Sequence, residues 1–476
     1  FDLQPEAPVH RPHGLSAMRP SKIRHRHRLM FDPVEKPHNS DDWADAIEAS
    51  QFPAQCGRFL LVRDDFRGSG LGWTARMFAS ALLIAMRQSR VLLEIPVWHG
   101  SSRDARWCRQ PPYTLQCFYR AWSHCKPPLE RALSYEERCE GHNSSRTRGW
   151  QDDESSGFGQ SRRIRFNLNC HSRPSVHPDP FSRFSNIDVL SVRLSTIHTH
   201  TAWWSGQGNS AHNGDFQRLL ASAHRFLFGS PRPWVRELAA CTMARANLQA
   251  GQFLSVHVRL SPEKTKEQGK HGVVVVEAYS LLVQALLNAS TAMRKEHPSL
   301  ASGLHQLFLQ TANPDALGNF TQLLTMLSGG GDRAARVSFT DNPRHIHDTW
   351  GGWVDDAHTI TQQTTVGVVN AHIARQAAML ISPSNSVWTA FLKQMMSTEF
   401  GSRAADELVA VSYKCNARKP GVGRTQGYLR IYAHPRRIEE GLAKELLFRR
   451  LRPAMEAAKT AMASAGLPVT NVECLV

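Results

Sequence analysis

Three short polar stretches hold the side chains of this 476-residue chain that are best suited to chemistry. The first, HVRLSPEK, runs from His257 to Lys264 at the end of an apolar run, with Glu267 and His271 just beyond it. The second, Ser382-Pro383-Ser384-Asn385-Ser386, follows the run MLIS and opens a helical pattern. The third, Gly68-Ser69-Gly70-Leu71-Gly72, stands between a strand pattern and a helical one. A helix start lined with hydroxyls presents unpaired amides to an anion, and a guanidinium such as that of Arg259 on a neighbouring strand end can complete a bidentate grip on a diphosphate. The plainer alternative is that Ser384 or Ser386 caps its helix and Arg259 pairs with a carboxylate. The glycines let backbone approach a ligand closely, or serve a tight strand-to-helix turn. They lack both the dinucleotide spacing and the Lys-Ser/Thr ending of a P-loop.

Metal chemistry has no motif to support it. There is no Asp-x-Asp and no HExxH, and the pairs His198/His200 and His345/His347 sit in irregular polar stretches. No metal is expected, so Arg259 would supply the positive charge that a divalent ion supplies elsewhere. No GxSxG elbow supports a nucleophilic triad.

These stretches need elements to position them. Residues 59–63 read as a buried strand, 73–88 as a helix with Trp73, Met77, Phe78, Ala81, Leu82 and Ala85 on one face, and 91–95 as the next strand, a βαβ unit. From about 98 to 212 the chain reads as loop-rich and disulfide-stapled, with a polar run between Gly141 and Arg163. A second alternation then begins. Strands are expected at 253–258, 307–311, 336–339 and 379–382, with helices at 277–293, 315–327, 364–375 and 386–396. Such alternation implies an α/β fold with a parallel sheet and helices on both faces, whose ligands sit beyond the carboxyl ends of the strands. The expected organisation is a basic extension (1–50), an α/β domain with the glycine loop and Cys-rich loops (51–250), a second, Rossmann-like α/β domain (251–436) and a helical tail (437–476).

Composition sets the outer bounds. The chain has 57 Lys+Arg against 41 Asp+Glu, a net +16, with 41% apolar residues, which is globular rather than disordered. Excess positive charge is compatible with a polyanion or nucleic-acid partner. The arginines are spread along the chain without an aromatic-interleaved patch, so no nucleic acid is expected. No run reaches the roughly 18 apolar residues that span a bilayer. The opening residue, Phe1, is compatible with a removed leader or anchor and equally with trimming. Nine cysteines without a CxxC, five of them between Cys108 and Cys170, suit disulfides better than zinc. With sequons at Asn143, Asn288 and Asn319, they suggest a secretory-pathway lumen.

The order GSGLGW, HVRLSPEKTKE, LFLQTANPDAL, FTDN, VVNAHIARQAAMLISPSNSVW and LRIYAHPRR resembles the fucosyltransferase superfamily. That superfamily includes α-1,6-fucosyltransferases, a bacterial nodulation fucosyltransferase and protein O-fucosyltransferases; the layout is most similar to the α-1,6 branch. The resemblance covers roughly residues 57–436. It implies two Rossmann-like domains facing a cleft (GT-B), a GDP-fucose donor, no cofactor or metal, inversion at the sugar carbon, a glycan or glycoprotein acceptor, and a Golgi setting. By this resemblance Arg259 holds the diphosphate, His257 and Lys264 lie at the donor, and Asp341 reads guanine. Ser384, Asn385 and Ser386 contact phosphate, and Gly70, Leu71 and Gly72 form the glycine loop. Glu267 is the general base, with Glu263 competing for the role. The chain departs from the family in three places. The family's HxRxxDK is here HVRLSPEK, paired aspartates after the second donor strand are here Ala312-Asn313, and a helical tail and basic arm replace an SH3-like domain and a coiled coil. These departures keep open another donor, a UDP-pentose or UDP-hexose, and a non-catalytic sugar- or polyanion-binding relative.

Overall fold

The runs FLLVR and VLLEI offer water no face, and each becomes a strand buried along almost its whole length, β1 (Phe59–Arg63) and β2 (Val91–Ile95). They pair in parallel, Phe59 opposite Val91, which requires a crossover. Helix α2 (Leu71–Arg87) supplies it, starting two residues before the expected position because Gly70 stays extended as its N-cap. Arg90, 1% exposed, donates to the carbonyls of Phe59, Asp188 and Phe184 and so ties together the amino ends of this sheet. The structure, a computed structural model, describes residues 42–63, 70–96, 108, 112, 114–126, 133–140, 163–169, 184–194, 197, 213–259, 276–297, 304, 306–311, 313–327, 335–340, 357–384, 386–397, 399, 408–419, 423–434, 436–464 and 472–475.

Two expectations for the first half are corrected. The basic extension drawn to residue 50 ends in a helix, α1 (Asp42–Gln51), whose Ile47 is fully buried and whose Gln51 side chain accepts the Leu92 amide. Its acidic start suits a helix N-terminus, a signal masked by the Pro, His and Arg before it. The section 98–212, read as loops, contributes three strands: β3 (Leu133–Glu140), β4 (Arg163–Asn169) and β5 (Val189–Arg193). They complete an all-parallel sheet in the order β2-β1-β5-β3-β4. The sequences LSYEERCE and RIRFNLN are too polar to resemble buried strands, and β4 stands at the sheet edge. Helices α3 (Asn213–Phe228) and α4 (Pro233–Arg245) follow.

The second sheet is built from β6 (Phe253–His257), β7 (Gln306–Gln310), β8 (Arg336–Ser338) and β9 (Met379–Pro383), all parallel where they pair. Its crossovers are α5 (Val276–Glu296), α6 (Pro314–Leu327) and α7 (Ala357–Ala374); α8 (Val387–Ser397) follows β9. Asn313 caps α6, its side-chain oxygen accepting the amides of Asp315 and Ala316. The expectation of a wholly parallel sheet is corrected at one side. A hairpin, β10 (Val409–Lys419) and β11 (Gly423–Ala433), has antiparallel strands, as the short link between them demands, and β11 pairs antiparallel with β9. The C-terminal segment runs as α9 (Glu440–Lys444), a π-helical turn (Glu445–Arg450) and α10 (Leu451–Ser464), which packs on α5. It ends in β12 (Val472–Leu475), antiparallel to β10. The sheet order is β12-β10-β11-β9-β6-β7-β8. The protein is thus a mixed α/β structure with two sheets and interspersed helices.

One apolar core lies between the second sheet and α5, α6 and α10. Another joins the two sheets, drawing on Leu60, Phe78 and Phe228 from the first half and Val368, Leu380 and Phe391 from the second. One close approach between backbones of the two halves is at Gly72. A Cβ there would lie 2.8 Å from the Trp388 Cα and 3.0 Å from its nitrogen, both backbone atoms of α8. Backbone cannot swing aside as a side-chain tip can, so Gly72→Ala must part α2 from α8. It is expected to cost about 1–3 kcal/mol, the usual range for overpacking, read as a fall in the denaturant midpoint. Gly70→Ala, which meets nothing within 4 Å, is the matched control.

One disulfide, Cys56–Cys125, links the start of β1 to the loop after β2. Cys415 is also disulfide-bonded and stands opposite Cys474 in the β10–β12 register, whereas Cys108, Cys117 and Cys241 are thiols. Among the described residues, no helix is long and apolar enough to cross a membrane.

Candidate functional site

Both sheets reverse their strand order at an identifiable place. In the second, the chain goes from β6 outward to β7 and β8, then returns to lay β9 on the other side of β6. In the first, β1 stands between β2 and β5. Crevices at the carboxyl ends of such strands are where open parallel sheets hold ligands, because loops leave in opposite directions there. Arg259 lies two residues past the end of β6, Ser384 directly after β9, and Gly70–Gly72 at the α2 start that follows β1. The Gly72–Trp388 contact sets the start of α2 against the start of α8. The crossover chemistry of both sheets therefore converges on one region.

Two side-chain links fix the first turn of α8 over the ends of β6 and β7. The His257 Nδ1 lies 3.4 Å from the Thr389 hydroxyl. The Trp388 indole nitrogen donates to Gln310 Oε1 at 3.4 Å, and Gln310 Nε2 donates to Ser255 Oγ at 2.8 Å. His257 and Gln310 are register partners in β6 and β7, so the two links run side by side. Burial, and secondarily the Arg259 guanidinium, hold the His257 imidazole down to about 3, so it is neutral wherever the protein works.

The sequence-selected residues fare differently. His257 is buried, Arg259 and Ser384 are half-buried, and Ser386 is 4% exposed. Ser386 Oγ accepts the Thr389 amide at 3.5 Å, so it caps α8 while its own O–H remains able to donate. The Ser384 amide donates to the Tyr428 carbonyl, extending the β9–β11 ladder. Gly70 has open space around its Cβ position. Leu71 reaches toward α7, its Cδ2 lying 3.5 Å from where a Cβ on Gly367 would be. Gly72 has a packing reason of its own in addition to the ligand reading. Glu263, Lys264, Glu267, Asp341 and Asn385 lie outside the described residues, as do the His198/His200 and His345/His347 pairs. Sequence reading missed Thr389, Trp388 and Gln310. Thr389 had a weak signal, standing three residues after Ser386 at the position whose amide a cap serves; Gln310 had none, because a glutamine ending a strand looks like any strand end.

No protein-family model matches the chain, and no curated protein does. Among solved structures it is similar to the fucosyltransferase NodZ from Bradyrhizobium, at 13% identity and TM-score 0.33, over 72% of this chain and 94% of that one. It is similar to POFUT1 in complex with GDP, at 11% identity and TM-score 0.40, over 73% and 97%. A third is a mutant of Arabidopsis thaliana FUT1 in complex with GDP, at 11% identity and TM-score 0.36, over 75% and 72%.

Proposed function

We propose that the chain is a glycosyltransferase of the GT-B kind that takes a GDP-sugar, GDP-fucose, as donor and transfers the sugar to a hydroxyl of a glycan or glycoprotein. The observation that carries this reading is the His257–Thr389 contact. It places the strand end bearing Arg259 against the first turn of α8, so a guanidinium and a helix start can act on one diphosphate. The order of motifs from the glycine loop to the YAHPRR stretch supports the choice of sugar class.

In this reading Arg259, with Lys264, neutralises the charge that grows on the leaving diphosphate as the glycosidic bond lengthens, and no metal is needed. Ser384, Asn385 and Ser386 donate to phosphate oxygens, and Gly70 to Gly72 bring backbone to the same ligand. Asp341 accepts from the guanine N1–H and amine. Glu267, or Glu263 in its place, removes the acceptor proton on the face opposite the diphosphate, which inverts the sugar carbon. A lumenal, Golgi location fits the Cys56–Cys125 disulfide and the exposure of Asn288 and Asn319 on their helices.

Thermal denaturation with GDP, UDP and duplex DNA tests the reading. GDP alone is expected to stabilise, by about 2.7 kcal/mol at a hundredfold excess over its dissociation constant. Stabilisation by UDP instead moves the donor to a UDP-pentose or UDP-hexose. GDP binding with no transfer or donor hydrolysis in the wild type makes the chain a sugar-binding relative without catalysis.

A further inference from the structure

Helix α4 buries only one of its faces. Val235, Ala239 and Met243 point into the protein, while Trp234, Glu237, Leu238, Cys241, Ala244 and Arg245, each three or four residues from the next, line the opposite face and are all exposed. Trp234 and Leu238 are large apolar side chains left 41% exposed. The Trp234 indole nitrogen is committed to the Cys117 carbonyl at 3.2 Å, so its ring is held in place. Cys241, an exposed thiol, stands at the middle of this face. Glu237 lies four residues before it and Arg245 four residues after it, and neither has an ion pair among the described residues. A surface with opposite charges at equal distances on either side of its centre is complementary to itself when turned through a half-rotation.

We propose that a second copy of this chain docks on this face, α4 against α4 and antiparallel about a twofold axis at Cys241, and that the two Cys241 thiols join in a disulfide. About such an axis, a residue a given number of places before 241 lies level with the residue as many places after it in the other copy. Four places set Glu237 against Arg245, twice over by symmetry, and three set Leu238 against Ala244, large against small. A parallel pair would instead bring Glu237 to Glu237 and Arg245 to Arg245, which repel. Packed helix axes lie about 8–10 Å apart with Cα atoms about 2.3 Å from each axis, leaving about 3.4–5.4 Å between facing Cα atoms, a range that overlaps the roughly 4.4–6.8 Å a disulfide spans. One face of a 13-residue helix measures only about 20 Å by 10 Å, well below the roughly 800 Å² per partner of a stable interface. Side-chain contacts therefore set the register, and the covalent bond holds the copies together. Two S–H bonds break and one S–S bond forms; two electrons and two protons pass to a small disulfide such as oxidised glutathione, which leaves as two thiols. The Cys56–Cys125 bridge belongs to the same oxidising chemistry. The inference is independent of the donor's identity.

The test is a denaturing gel, with and without reductant, of the full chain secreted from an oxidising compartment and alkylated with N-ethylmaleimide. The expected result is a band at twice the monomer mass that collapses on reduction, gives a Cys241–Cys241 linked peptide on digestion, and is missing from Cys241→Ser. The charges are tested in glutathione redox buffer at matched protein concentration. Glu237→Arg should lower the linked fraction severalfold, because both charge contacts of the seam become repulsive, and Glu237→Arg combined with Arg245→Glu should restore it. All three positions are exposed, so the substitutions leave the fold intact. Monomer with Cys241 alkylated overturns the proposal, as does Cys241 linked to another cysteine or a reducible dimer that survives Cys241→Ser. A Cys241-linked dimer whose yield is the same in both charge variants is chance oxidation of an exposed thiol, and overturns it as well.

Discussion

Arg259→Ala is expected to lower kcat/KM for transfer from the GDP-sugar by about 10²–10³-fold, the range found when one preorganised donor to a developing negative charge is removed. The GDP-induced rise in denaturation temperature should shrink with it, since in the proposed reading the same guanidinium holds the ground-state diphosphate. Arg259 is half-buried at a strand end, so the apo protein should lose little stability and the loss should read as function. Arg259→Lys retains the charge but not the planar fork, and is expected to recover only a minor part of the rate. Both effects are checked by isothermal titration with GDP and by initial rates of donor hydrolysis. An Arg259→Ala protein that binds GDP as wild type does would place the diphosphate grip elsewhere.

The second large effect is acid lability. Burial holds His224 down to about 4 and His257 and His372 to about 3. Arg76, Arg259 and Arg375 add repulsion to the three in turn, and the Leu220 carbonyl partly opposes the effect at His224. In the unfolded chain the same rings titrate near 6.5. Below that pH the unfolded state binds protons the native state refuses, so stability is full above about pH 6.5 and is lost as pH falls toward 4 and 3. Each ring contributes a slope of roughly 1.4 kcal/mol per pH unit, and three together about 4. Against a total stability of about 5–15 kcal/mol, that slope is enough to unfold the protein in mild acid. Urea midpoints measured from pH 8 to pH 4 should be flat at the alkaline end and fall steeply below 6. His224→Phe keeps the ring contacts with Phe228 and Phe391 and should reduce the slope by about a third. A profile unchanged by that substitution would show that carboxylates, not buried imidazoles, set acid stability.

The second sheet was the more legible half. Its four parallel strands read at nearly their observed places, β6, β7 and β9 because they are short apolar runs, and the helices α6 and α8 carry one-sided apolar patterns between turn signals. β3 and β4 stayed hidden, since LSYEERCE and RIRFNLN gain strand geometry only from neighbours that are distant in sequence. The β10–β11 hairpin was missed for a related reason. Val411, Tyr413 and Cys415 alternate with more exposed positions, but the run is read as a strand only once β9 offers it an edge. Within the site, Arg259 and the SPSNS stretch stood out because a cation after a strand and hydroxyls before a helix are unusual residues in telling positions. Trp388 and Gln310 did not, because a tryptophan in a helix and a glutamine ending a strand have their commonplace explanations.

Local order of residues alone determined the α/β alternation, the βαβ unit at β1–α2–β2 and the set of polar groups at strand ends, because burial periodicity and turn chemistry are properties of a few consecutive residues. Tertiary structure decided which strand ends become neighbours, that Gly72 serves a helix contact, and that His257 is neutral. Those outcomes depend on the order in which strands pair and on the exclusion of water by segments more than a hundred residues away, as with Gly72 and Trp388 or His257 and Thr389.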